Sequence, residues 1–410
     1  MELVSVRVAE SPSGPGRVRL VGNVLYDDRP GKIEPYWFEF PERYAGALSV
    51  SGNPWLACLL PLAVTLGEPL RLHVPVDPLL LSNASRLMAI WSQWYPDLRP
   101  VSLEAEAKPT PPAPGVRASG AFFSGGVDSF YMVLRDRNGA RPADVPAIDK
   151  LLLVRGFDIP VGAVAEFERL RASLSQAADA LGLELVDVAT NLRAVRFREA
   201  NWGRLSHGSA LASVGLAVER GFQSLCIAAT HYDGPVRPWG SQPETDPLLS
   251  TGITRIFHVG LLIPRREKTE YIAGSDVAMR HLHVCYRLAS AENCCDCEKC
   301  LLAILTLEVL GVLDRCPPLR RRSLDLKRVR KLLILSRPYL RLYRDLEARA
   351  SAGGREDIAD AIAACIRRSR RMKPVIAVLA WGRSQRGIGR ISRRLHRRII
   401  DGPPAAKGIS

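Results

Sequence analysis

The stretch Ala121-Phe122-Phe123-Ser124-Gly125-Gly126-Val127-Asp128-Ser129 sets a glycine pair between an apolar run and a segment of helical spacing. A strand that feeds so small a loop, with a helix leaving it, keeps several backbone N–H groups free. Those groups and the positive end of the helix dipole make an anion site. Gly125 and Gly126 let the backbone approach a phosphate and take positive φ. Ser124 and Ser129 add hydroxyl donors, and Asp128 can hold Mg²⁺ beside the phosphates. The pattern is neither GxxxxGK[ST] nor GxGxxG; the chain's only Gly-Lys pair, Gly31-Lys32, lies far upstream.

The surrounding pattern is a repeated alternation of strand and helix. The strand expectations are Gly120–Phe123, Lys150–Val154, Leu183–Val188, Ser224–Ala229 and Thr254–His258. Helical spacing covers Ser129–Arg135, Val164–Ala180 and Ser209–Arg220. Such alternation signifies a parallel sheet with helices on both faces, and ligands sit at the carboxyl ends of its strands. Residues 1–107 read instead as an α+β module. Strands are expected at Val4–Val8, Arg17–Leu25, Tyr36–Phe40 and Arg71–Val74, and helices at Pro54–Leu66 and Leu79–Trp94. The Pro-rich run 108–117 then forms a stiff linker. The module carries no recognisable chemistry; it either covers substrate or serves as scaffold.

Cys285, Cys294, Cys297 and Cys300 offer four thiolates within sixteen residues. Two CxxC turns suit a tetrahedral ion, and four thiolates close its shell, so zinc there would be structural. An iron–sulfur cluster also takes four cysteines. Cys295 could replace Cys294, and His281 and His283 could compete as ligands. Nine cysteines used this way fit a reducing cytoplasm better than a secreted disulfide frame. No targeting segment is recognised at the start, and the most apolar stretch, Trp55–Leu66, is too short to cross a bilayer.

The loop Ser124–Ser129 resembles the SGGxDS motif of the PP-loop ATP pyrophosphatases, which split ATP between the α and β phosphates and adenylate a substrate oxygen. Together with the later C-x8-C-x2-C-x2-C, it is similar to the 7-cyano-7-deazaguanine synthase (QueC) group over roughly residues 118–305. The resemblance implies a PP-loop (HUP-type) fold for 118–283 and a four-cysteine zinc segment at 284–312. It also implies ATP, Mg²⁺ and Zn²⁺ as cofactors. Ser124, Gly125, Gly126, Val127, Asp128 and Ser129 would bind pyrophosphate, and Pro264–Lys268 would bring Lys268 near the phosphates. Asp128, Ser129 and Lys268 would then be catalytic, turning a carboxylate into an amide or nitrile. The family's segments that shape the nucleoside and substrate pockets are replaced here by Val154–Pro160 and Leu205–Ser209, so the acceptor is expected to differ. An RNA-thiolating enzyme and a non-catalytic nucleotide sensor are the other readings.

Further candidates follow from position. Arg266 and Lys268 would neutralise charge on departing pyrophosphate. Asp158 follows the second strand and would bind ribose or Mg²⁺, or cap the next helix. Ser209 reads as a helix N-cap, with His207 beside it. The polar loop Gly240–Pro247 reads as a substrate lid carrying Asp246. Charge is concentrated at the end of the chain: from Arg315 onward there are 26 Lys and Arg against 7 Asp and Glu. That region, 313–410, is expected to be basic and helical, with Arg320–Arg322, Arg367–Arg371 and Arg393–Arg398 as clusters and 402–410 disordered. It suits nucleic acid, an anionic membrane or an acidic partner, or is merely a solvated face. The sequence leaves the oligomeric state unstated.

Overall fold

The computed structural model describes residues 1–230, 238–286, 290–320, 324–334 and 337–383. The chain divides into two compact units, Met1–Asn293 and Cys294–Ser410. The first unit opens with the antiparallel strands β1 (Glu2–Glu10), β2 (Arg17–Tyr26) and β3 (Arg29–Pro41). Helix α1 (Asn53–Leu66), β4 (Leu70–Val76), α2 (Pro78–Trp94) and β5 (Leu103–Ala107) complete its opening half. The alternating half runs β6 (Ala118–Phe122), α3 (Val127–Arg137), β7 (Lys150–Arg155), α4 (Val164–Ala180) and β8 (Glu184–Thr190). It continues through α5 (His207–Leu216), β9 (Phe222–Ala228), β10 (Arg255–Val259), α6 (Arg265–Ala273) and α7 (Asp276–His281).

The ten strands among the described residues form one sheet, in the order β10-β9-β6-β7-β8-β3-β2-β1-β4-β5. Six of its nine pairings are parallel. Numbered within β6–β10 alone, the parallel half has the doubly wound order 3-2-1-4-5. The crevice of such a sheet opens where the order reverses, between β6 and β9 at their carboxyl ends. The other half joins through β3, antiparallel to β8 at Phe38↔Thr190 and Glu39↔Ala189.

The Pro-rich run is expected to separate one domain from the next, yet the contacts do not divide there. Residues 1–107 share a sheet and a hydrophobic core with the alternating half. Two features explain this. Helix α1 is apolar all round, with twelve of its fourteen residues buried, so it needs cover on every side. Its Trp55 lies flat on β2 at Gly22, where a Cβ would stand 2.7 Å from the indole. Secondly, Glu219, fully buried, accepts from Ser49 (2.7 Å), Asn53 (2.8 Å) and Thr251 (3.1 Å). Asn53 also reaches Thr110 of the linker at 3.0 Å, which pins the linker down.

The second unit is helical among its described residues: α8 (Glu298–Val309), α9 (Leu326–Lys331), α10 (Arg337–Ala352) and α11 (Glu356–Arg383). They enclose a separate core that includes Leu301, Leu305, Val329, Tyr343, Ile358 and Ile362. Arg367, Arg368, Arg370 and Arg371 project from the exposed face of α11. The Arg393–Arg398 cluster and the segment 402–410 lie outside the described residues, as do Arg321 and Arg322.

Candidate functional site

The loop Phe123–Gly126 leaves β6 at the point where the sheet order reverses and enters α3. Gly125 takes φ +74°, and a Cβ there would meet Leu174 at 2.7 Å, so both conformation and space demand glycine. Gly126 is the N-cap of α3 and supplies no side chain to the first turn. No side-chain cap bond closes this helix start, and a helix start at the end of a glycine loop has the form of an anion site. Ser124 is exposed at the loop's outer edge, whereas Val127 is buried as an anchor. Ser129 departs from its expected role as a hydroxyl donor to phosphate. It is buried and donates to Gly126 O at 3.0 Å, closing the first turn on itself.

Asp128 is joined by two cations. Arg265 Nη1 stands 2.5 Å from one carboxylate oxygen and Lys268 Nζ 3.3 Å from the other. Both cations lie on α6, three residues apart and so on one face. Lys268 is almost wholly buried, and its ammonium also donates to Ala229 O at 2.5 Å, just past β9. It thus ties together the two strands that flank the crevice. Burial lowers its pKa from the ordinary lysine value, while the Asp128 charge works against that shift.

Arg266 is the arginine that the sequence leads one to expect at the phosphates. The helix phase turns it away instead, toward Glu267 and Glu270, both at 3.7 Å, and Arg265 takes the place beside Asp128. Helical spacing from Lys268 is the signal that could have singled out Arg265.

Asp158 is exposed on the turn after β7, on the same strand-carboxyl rim as the loop. It does not cap α4, whose N-cap is Ala163. Helix α5 starts at His207, so Ser209 is a buried residue within the helix and not its cap. His207 packs on Trp202 with ring centroids 4.9 Å apart. The expected lid is held down: Asp246 is fully buried and accepts from Ser241 at 2.6 Å, with His258 Nδ1 at 2.8 Å. A carboxylate so satisfied secures the loop to β10.

The sulfurs of Cys285, Cys294, Cys297 and Cys300 all lie within 4.8 Å of one another. Cys294 and Cys300 are 3.8 Å apart, and a tetrahedron of 2.3 Å zinc–sulfur bonds has edges of about 3.8 Å. Backbone N–H groups point at two of the sulfurs: Cys297 N to Cys294 Sγ at 3.2 Å and Cys300 N to Cys297 Sγ at 3.4 Å. Such donors favour thiolates, the form that metals bind. The group can therefore hold a zinc ion. Cys295 is not one of this set; φ +53° turns its thiol toward Leu319 O, 3.6 Å away. The two histidines also face elsewhere, His281 Nδ1 to Ser173 (3.0 Å) and His283 Nε2 to Ser290 O (3.1 Å).

Contacts around the loop include residues that sequence reasoning missed. His283 N donates to Gly125 O at 2.8 Å, and the buried Asn293 braces the chain between Leu282 and Cys285. No periodicity announces either one. Comparison with protein family models, curated proteins and solved structures finds no match for this chain.

Proposed function

We propose that the chain is an ATP-dependent synthetase of the PP-loop type. It adenylates a carboxylate or carbonyl oxygen, releasing pyrophosphate, and ammonia or an amine then displaces AMP. From a carboxylate this gives an amide, and a primary amide goes on to a nitrile only if a second ATP adenylates its oxygen, which then leaves as AMP. One observation carries the reading: a glycine loop and an uncapped helix start lie at the switch point of a 3-2-1-4-5 sheet, beside a carboxylate and two cations. Backbone N–H groups from Gly125 to Ser129 bind the β and γ phosphates. Arg265 and the buried Lys268 offset charge on the departing pyrophosphate, the usual source of acceleration in phosphoryl chemistry. Asp128 supplies the carboxylate for Mg²⁺ and holds both cations in place. Asp158, on the same rim, is available to the ribose.

The four-cysteine group belongs to the protein's frame, because four thiolates leave a bound zinc no open position for substrate. Nine cysteines with no disulfide among the described residues accord with a cytoplasmic setting. Among the described residues no helix is long and apolar enough to cross a membrane. Exposed Arg330, Lys331, Arg367, Arg368, Arg370 and Arg371 support a polyanionic partner, nucleic acid foremost.

The test is ATP–pyrophosphate exchange and AMP formation over a panel of acceptors, small carboxylic acids and oligonucleotides among them. Asp128→Ala should abolish exchange with metal content and fold intact; an active variant overturns the reading. Iron with a visible absorption band in place of one zinc per chain would favour the thiolating alternative. Indifference to oligonucleotides at low salt would remove the nucleic-acid partner.

A further inference from the structure

The stretch that leads into Cys285 lies directly on the glycine loop. His283 N donates to Gly125 O at 2.8 Å, and a Cβ on Gly125 would come within 3.4 Å of His283 Cβ. A trans peptide is planar, with its C=O and N–H pointing oppositely. Holding Gly125 O therefore also fixes the direction of the Gly126 N–H, away from His283. Gly125 sits at φ +74°, where glycine has several open conformations, so this peptide plane is not fixed by local sterics alone.

What holds His283 is a second set of bonds. The side-chain oxygen of Asn293 accepts from Val284 N (2.8 Å) and Cys285 N (3.1 Å), and its amide donates to Leu282 O at 2.9 Å. One buried amide thus grips the backbone on both sides of His283. Farther along, Glu166 at the start of α4 accepts from Ser290 Oγ (2.9 Å) and Ala291 N (3.1 Å). Cys285, next to this clamp, is one of the four grouped thiols.

We propose that Asn293 is a positioning residue that couples the four-cysteine centre to the glycine loop. A metal held by Cys285 fixes the 282–285 backbone, and that backbone fixes the peptide between Gly125 and Gly126. The centre would then set how well the loop binds a nucleotide's phosphates, without touching the nucleotide itself. This rests on the nucleotide-binding reading above, but the coupling has a readout of its own.

The experiment compares zinc-loaded, chelator-stripped and zinc-restored full-length protein by hydrogen exchange at the amides of 124–130 and by calorimetric titration with a non-hydrolysable ATP analogue. Stripping should speed exchange at those amides, leave β6–β9 protected, and weaken the analogue about tenfold, the scale of one hydrogen bond to a charged group. Restored zinc should reverse both effects. Asn293→Ala should reproduce them with zinc content unchanged, and Asn293→Asp, which keeps the acceptor for Val284 and Cys285, should stay nearer the wild type. Unchanged exchange in the stripped protein, or an Asn293→Ala chain with full zinc and wild-type exchange, overturns the coupling. A zinc-loaded wild type that ignores the analogue overturns the nucleotide reading instead, and exchange still decides the coupling.

Discussion

At the scale of single residues, the loop is fixed by one glycine that has no substitute. Gly125→Ala asks an L-residue to hold φ +74° and drives its Cβ to 2.7 Å from Leu174 Cδ2, the end of a flexible side chain. The left-handed conformation alone costs about 1–2 kcal/mol, and the leucine must also shift. Chemical denaturation should register a loss of that order, while on the nucleotide-binding proposal affinity for an ATP analogue falls further because the loop itself is displaced. A variant with unaltered affinity would mean that this peptide does not face the ligand. The glycine pair was legible in the sequence because its residue types alone declare the backbone they need. The choice between Arg265 and Arg266 was not, since adjacent arginines differ only by helix phase. His283 and Asn293 were illegible for a plainer reason: His283 reaches the loop from more than 150 residues downstream, with Asn293 bracing the backbone on either side of it, and no spacing rule links such distant positions.

At the scale of elements, most strands and helices were readable from period alone. Val164–Ala180 is a helix over those very residues, and the five expected strands of the alternating half all form within about two residues of their places. What period cannot supply is which edge meets which. The junction near β8 uses a cluster that no motif marks: Glu184 accepts from Tyr44 (2.8 Å), Arg43 (2.9 Å) and Lys150. Burial alone would raise this carboxyl's pKa, but the bonds from Lys150, Tyr44 and Arg43 outweigh it and bring the value from 4.5 down to about 2. The sign follows from that depression. The cluster's contribution to stability is complete above about pH 4.5 and drains away as pH falls toward about 2. Because Glu184 is partly exposed, solvent screening should hold that contribution to about 1 kcal/mol or less. Glu184→Gln should therefore trail the wild type in urea midpoint at pH 7 and match it near pH 2. A gap that persists at the acid end would assign the effect to packing.

For the molecule as a whole, the decisive feature is a sheet that ignores the Pro-rich run. A linker of that composition ordinarily separates domains that fold alone, and residues 108–410 would then make a self-sufficient fragment. The contacts argue otherwise. Without β3, the edge of β8 loses its partners, along with the bonds between Trp37 N and Asn191 Oδ1 (2.9 Å) and between Thr190 Oγ1 and Trp37 O (2.8 Å). Without Ser49, Ser51 and Asn53, Glu219 keeps a buried carboxyl but loses three of its donors, and leaving a buried acceptor unsatisfied costs about 1–3 kcal/mol. Without α1, apolar residues of α5 that pack in the shared core, among them Val214 and Leu216, meet water. Any one of these losses is comparable to a large fraction of a domain's net stability. The fragment 108–410 should accordingly lack a cooperative thermal transition and aggregate through its bared strand edge, whereas the full chain melts sharply. A monodisperse fragment with a single sharp transition would show that the alternating half is independent, and that residues 1–107 are cover added to a finished core.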